Sequence, residues 1–258
     1  MGHTVNAREI VELFKATDAL GFDELCSRYG DDPRSGVQKA IAAARKRLAA
    51  EEQEQERIRQ LYALQAQAGE GALVVGIDEV GRGSVAGPLT VAAVALPLSP
   101  MILGLNDSKK LTPAKREEVA GRIRGIARAI SIFHIPPEDI DACGMSASLR
   151  VAMSRALSGI GAEPDLVLID GNPVHIHPKE RCIVHGDAQV ACIAAASIIA
   201  KVTRDALMVE QDALYPGYHF AESKGYASPE HIQAIKDLGL SPIHRVSFCQ
   251  NFLQESLF

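Results

Sequence analysis

The sequence predicts a two-part α/β protein. A small all-helical region occupies residues 1–70, and a mixed sheet of about five strands flanked by helices occupies residues 71–258. Three observations predict this. Residues 1–70 carry helical periodicity without a strand-like run. From Ala72 onward, short apolar runs alternate with helical stretches. The first two of those runs are separated only by a short glycine-rich turn, which makes them an antiparallel hairpin within a sheet whose later strands are joined through helices.

In chain order, Ala7 to Leu20 reads as an amphipathic helix with Ile10, Leu13 and Phe14 on one face. Gly30-Asp31-Asp32-Pro33 is a turn. Val37 to Gln67 predicts a long helix whose middle, Glu51 to Arg57, is almost wholly polar and therefore solvated. The sustained heptads of a coiled-coil dimer are missing. Gly69-Glu70-Gly71 marks the boundary. Leu73 to Asp78 is the first strand and Pro88 to Leu96 the second. Thr112-Pro113 opens a helix with a cap residue and a proline at the first helical position. Arg128 to Ile135 is a third strand, and Glu138 to Ser158 a helix. Leu166 to Ile169 is a fully apolar fourth strand ending in Asp170-Gly171, and Cys182 to Val184 a short fifth leading to Gly186-Asp187. Gln189 to Leu214 is a long helix whose alanine-rich start can lie close to a sheet. Ser228-Pro229 opens a further helix that Gly239 closes. The tail from Ser241 to Phe258 is apolar enough to dock.

Composition narrows the classes. The net charge of −5 argues against binding nucleic acid by bulk charge, but permits a local basic groove beside an acidic site. The five cysteines are scattered, odd in number and without a C-x-x-C pair, which points to reduced thiols rather than a disulfide framework or a zinc site. No signal pattern or membrane-length apolar run is present, so a cytoplasmic location without membrane attachment is expected.

The chemistry lies in acids at strand ends. Asp78 and Glu79 close the first strand, Asp170 the fourth, and Asp187 follows the fifth. If the first and fourth strands are neighbours, these carboxylates meet at one sheet edge, where like charges oppose one another. A divalent cation removes that repulsion, and oxygen-only ligands favour Mg²⁺ or Mn²⁺ over zinc. Each acid singly reads as an ordinary turn residue, but together they favour metal binding. The segment Gly81-Arg82-Gly83 is followed by Pro88 and a strand, so it is not a dinucleotide loop. On these residues alone, a hairpin turn with a surface arginine and a phosphate-contacting loop are equally good readings. Lys109 and Lys110 begin a locally basic stretch, most often a solvated helix face but also a possible track for a nucleic-acid backbone. Tyr226, beside Lys224, can stack on a sugar or base, although half-buried packing is its commoner role. His175 and His177 read as surface residues; His231 and His244 could assist proton transfer or bind phosphate, but packing or capping is their commoner role.

Several segments resemble the type 2 ribonucleases H, ribonuclease HII. They are Gly76-Ile77-Asp78-Glu79-Val80-Gly81-Arg82-Gly83, Asn106-Asp107-Ser108-Lys109-Lys110-Leu111, Asp170-Gly171, Gly186-Asp187-Ala188 and Ala195 to Asp205, with Tyr215-Pro216 and Ser223-Lys224-Gly225-Tyr226. They lie in the family's order within residues 72–247, and the first 70 residues resemble the N-terminal extension of some bacterial members. The resemblance implies a ribonuclease H-like fold. It implies cleavage of the RNA strand of RNA/DNA hybrids, and incision on the 5′ side of ribonucleotides embedded in duplex DNA, leaving 3′-hydroxyl and 5′-phosphate ends. Carried over by motif, Asp78, Glu79, Asp170 and Asp187 are the metal-binding catalytic carboxylates, served by Mn²⁺ or Mg²⁺. Gly81, Arg82 and Gly83 sense the ribose 2′-hydroxyl, Tyr226 stacks on the adjacent deoxyribose, and Lys109 and Lys201 meet phosphates. The intact Gly-Arg-Gly loop argues against the type 3 relatives. A monomer is expected. A DNA-directed nuclease or recombinase of the same fold and a non-catalytic nucleic-acid-binding module are the alternatives. The first 70 residues are expected to add affinity for the hybrid or to position it.

Overall fold

A computed structural model describes residues 5–253. The chain divides into two compact units, Met1–Arg57 and Ile58–Phe258.

In the first unit, α1 (Ala7–Ala16) begins with a capping box. Asn6 accepts from the Glu9 amide at 2.9 Å, and Glu9 accepts in return from the Asn6 amide at 3.1 Å. The single helix expected over Ala7–Leu20 is in fact two. Thr17 is extended, and the Asp18 carboxylate accepts from the Gly21 amide to start α2 (Ala19–Tyr29), so a side-chain cap outcompetes continuation. Ile10, Phe14, Val37, Ile41 and Ala44 form this unit's core. Val37 to Ala44 come from the start of α3 (Ser35–Ala66). The division at residue 57 falls within α3 because Ile58, Leu61 and Tyr62 are buried in the second unit's core.

The second unit is built on a five-stranded sheet in the order β3-β2-β1-β4-β5. Strand β1 (Val74–Val80) pairs antiparallel with β2 (Leu89–Ala95), the expected hairpin, and β2 with β3 (Ala129–Ile135). On its other side β1 runs parallel to β4 (Leu166–Asp170), which pairs with β5 (Glu180–Ile183). Helix α4 (Pro113–Ile126) starts at the predicted Thr112 cap. The helix expected over Glu138–Ser158 is divided into α5 (Pro137–Cys143) and α6 (Met145–Ser158), because Gly144 takes φ 80°, outside helical geometry. Helix α7 (Ala191–Leu214) lies on one sheet face, while α5 and α6 supply apolar residues to the other. A short α8 (Phe220–Ser223), α9 (Pro229–Leu238) and α10 (Val246–Leu253) complete the unit. The tail docks through buried Cys249, and its last five residues lie outside those described.

Strand alternation explains the two cores. Val75 and Ile77 of β1 enter the α6 side with Val167 and Ile169 of β4. Gly76 and Asp78 therefore face α7. A Cβ on Gly76 would sit 2.2 Å from the Cys192 carbonyl carbon and 2.5 Å from the Ile193 nitrogen, so only glycine lets α7 lie this close. Among the described residues, no helix is long and apolar enough to cross a membrane.

Candidate active site

The parallel ladder pairs Ile77 with Ile169, which brings the next residues, Asp78 and Asp170, side by side at the same end of the sheet. Asp78 and Glu79 were expected to end their strand. They lie within it instead, because the ladder continues through Val80, paired with Thr90. Asp78 is buried and its carboxylate accepts from the Glu79 amide at 2.7 Å. Asp170 is the last residue of β4 and accepts from the Gly186 amide at 2.6 Å, which draws the turn carrying Asp187 against it. Asp187 is buried within a 3-10 turn, Gly186–Ala188.

The acids act on one another electrostatically. Burial, then Glu79, then Asp170, raise Asp78 well above the usual carboxylate range. Burial raises Glu79, with Arg82 opposing and Asp170 adding to the rise. Asp187 is raised by burial, then by Asp107 and Asp170. Lys109 acts against the rise at both Glu79 and Asp187. Among the described residues, no group of three or more Asp, Glu, His or Cys side chains is arranged so that it could hold a metal ion as it stands. The donor set still fits a hard divalent cation, because Mg²⁺ keeps several waters and takes few carboxylates, so an open acidic edge suits it.

Two serines reach this edge that the sequence did not single out. The Ser197 hydroxyl lies near enough to Asp78 to oppose the rise in its pKa. Ser197 Oγ also meets Ser108 Oγ at 3.0 Å, tying the Asp107–Lys110 segment to α7. A lone hydroxyl inside the apolar run Ala194–Ile199 was the available signal.

The Gly81–Gly87 segment follows directly. Gly81 takes φ 86°, and a Cβ there would strike Arg204 Nε at 2.3 Å, so glycine is required twice over. Arg82 is 59% exposed at its side chain, with a nitrogen 3.7 Å from Glu79. The amides of Val85 and Ala86 both donate to the Gly225 carbonyl, at 2.8 and 3.1 Å, which joins this loop to the Tyr226 segment. Tyr226 is 37% exposed and stands over Arg204, whose Cζ is 5.5 Å from the ring centroid. Lys201 is paired with Asp205 at 2.8 Å; within the basic stretch that begins at Lys109, Arg116 is engaged internally by Asp205 and two loop carbonyls. His177 packs against Glu163 at 3.0 Å and is less exposed than a surface role requires.

His231 and His244 are core residues. The Tyr226 carbonyl must accept from His231 Nδ1, so His231 Nε2 accepts from His244 Nε2 at 3.0 Å, and His244 Nδ1 accepts from the Ser241 amide at 2.9 Å. Both rings must be neutral for this chain to exist. Burial, then His231, lower His244 to about 4, and burial lowers His231. A depressed histidine pKa means stability that is present above the unfolded value and lost as pH falls toward the folded one. Between pH 7 and pH 5 the expected loss from His244 is about 2 kcal/mol. Urea midpoints at the two pH values test this, and a His244→Asn variant with an equally steep decline would contradict it.

Known proteins place the chain. A family model for ribonuclease HII matches residues 75–251, and one for the ribonuclease HII N-terminal domain matches residues 7–68. Ribonuclease HII of Enterococcus faecalis is 41% identical over 238 residues, covering 92% of each chain. That of Lachnoclostridium phytofermentans is 40% identical over 249 residues, covering 96% of this chain and 98% of its own. The PCNA:RNase HII complex from Archaeoglobus fulgidus contains a similar fold, with a TM-score of 0.61 and 27% identity over 72% of this chain and 98% of that one. Two family models that together span residues 7–68 and 75–251, and two relatives 41% and 40% identical over nearly the whole chain, mean that the protein belongs to the ribonuclease HII family of type 2 ribonuclease H endonucleases.

Proposed function

We propose that this enzyme cuts the RNA strand of RNA/DNA hybrids and incises duplex DNA on the 5′ side of embedded ribonucleotides, leaving 3′-hydroxyl and 5′-phosphate ends. The observation that carries it is the β1–β4 register, which sets Asp78 beside Asp170 at the foot of the Gly81–Gly87 loop. Asp78, Glu79, Asp170 and Asp187 hold the cations, and Mg²⁺ or Mn²⁺ supplies water activation and charge stabilisation at the leaving oxygen. The carboxylates orient the attacking water's position relative to the scissile phosphate. Arg82, exposed above Glu79, takes a phosphate, as do Lys109 and Lys201. Gly81 and Gly83 bring backbone to the ribose 2′-hydroxyl, the one group that separates ribose from deoxyribose. Tyr226 stacks on the neighbouring deoxyribose. Residues 1–70 add hybrid affinity. The enzyme works as a monomer in the cytoplasm, a setting that its five free cysteines support.

The deciding experiment compares a DNA duplex carrying one ribonucleotide with an all-DNA control during a titration of Mg²⁺ or Mn²⁺. Incision should occur only in the first duplex, immediately 5′ of the ribonucleotide. Equal cutting of both would leave a DNA-directed nuclease of the same fold. No turnover in either metal would leave a binding module.

A further inference from the structure

Arg204 and Arg245 are fully buried, and their hydrogen bonds go to backbone carbonyls and one hydroxyl. A buried cation is costly, so a pair of them without carboxylate hydrogen-bond partners calls for a reason beyond stability. Their acceptors are concentrated in one loop. Arg204 donates to the carbonyls of Pro88 (2.9 Å) and Ala86 (3.0 Å), to Ser84 Oγ (2.8 Å), and to the Lys224 carbonyl (2.7 Å). Arg245 donates twice to the Gly87 carbonyl, at 2.9 and 3.1 Å, and to the Arg82 carbonyl at 3.2 Å.

Peptide planarity turns those bonds into an orientation. In a trans peptide the N–H points opposite to the C=O. Drawing the Arg82 carbonyl inward therefore turns the Gly83 N–H outward. The amides of Ser84, Val85, Ala86 and Gly87 all donate to protein carbonyls, whereas Gly83 is exposed and its N–H has no acceptor among the described residues. Arg204 meanwhile underlies Tyr226 and fixes the carbonyl two residues before it.

We propose that Arg204 and Arg245 are positioning residues for ribose recognition: Arg245 holds the Arg82–Gly83 peptide with its N–H toward the substrate, and Arg204 braces the rest of the loop and sets Tyr226 beside it. This rests on the proposal that the Gly81–Gly83 loop reads the 2′-hydroxyl. Neither guanidinium touches substrate. Lysine keeps the charge but lacks the planar fork that spans several carbonyls.

The test measures dissociation constants by fluorescence anisotropy, in EDTA, for a single-ribonucleotide duplex and an all-DNA duplex of the same sequence. Arg245→Lys and Arg204→Lys should each keep the all-DNA affinity and reduce the preference for the ribonucleotide duplex by roughly tenfold. Folded variants that keep the wild-type preference overturn the inference. A wild-type enzyme without any preference overturns the ribose-reading loop itself, and the inference with it. If the variants do not fold, amide exchange in the wild-type protein decides. The Gly83 N–H should be slowed by the ribonucleotide duplex and not by all-DNA, and equal slowing by both overturns the inference.

Discussion

Asp170→Asn should lower kcat on an RNA/DNA hybrid by about a thousandfold or more, without unfolding the protein. The size follows from charge. Loss of several kcal/mol of metal-borne transition-state stabilisation corresponds to that factor. Asparagine keeps the carbonyl oxygen that accepts from the Gly186 amide, so the Asp187 turn stays in place. Asp170 also opposes ionisation of Asp78, Glu79 and Asp187, so the metal-free variant loses like-charge repulsion. The thermal midpoint should therefore hold or rise while activity collapses, and metal-free hybrid affinity should change only a few-fold. Retention of a tenth of the wild-type rate would remove Asp170 from the catalytic set.

Gly76→Ala should be strongly destabilising although it adds a single methyl group. The new Cβ would meet backbone atoms of Cys192 and Ile193, which cannot rotate aside. Overpacking typically costs about 1–3 kcal/mol, and a clash with helix backbone belongs at or above the top of that range. For a unit of this size, about 3 kcal/mol lowers Tm by roughly 6–12 °C. The displaced α7 would also carry Ser197 away from Asp78. Calorimetry on the purified variant tests this, and a midpoint within about 2 °C of wild type would contradict so close a β1–α7 contact.

Local chemistry explains what was legible beforehand. The strands were visible because their apolar runs are short and bounded by glycine, proline or acids. Caps at Thr112 and Ser228 were visible because proline follows each. The divided helices were missed because Asp18 and Gly144 act through one side-chain bond and one positive φ, which periodicity does not register. Four acids stood out because each follows an apolar strand or turn. Ser197, Arg204 and Arg245 did not, since their partners lie far away in the chain. Arg204 reaches Pro88 across 116 positions, and Arg245 reaches Gly87 across 158.

The missing side chain at residue 76 has a mechanical consequence. With α7 seated directly on β1 two residues before Asp78, the acidic edge is packed tightly against a helix. Adjustment then falls to the substrate. On the proposed reading, a duplex would have to conform to that acidic edge, and one that deforms at low energetic cost where ribose meets deoxyribose would reach it most readily. Selection of the cutting point would then be shared between the protein's chemistry and the pliancy of the nucleic acid.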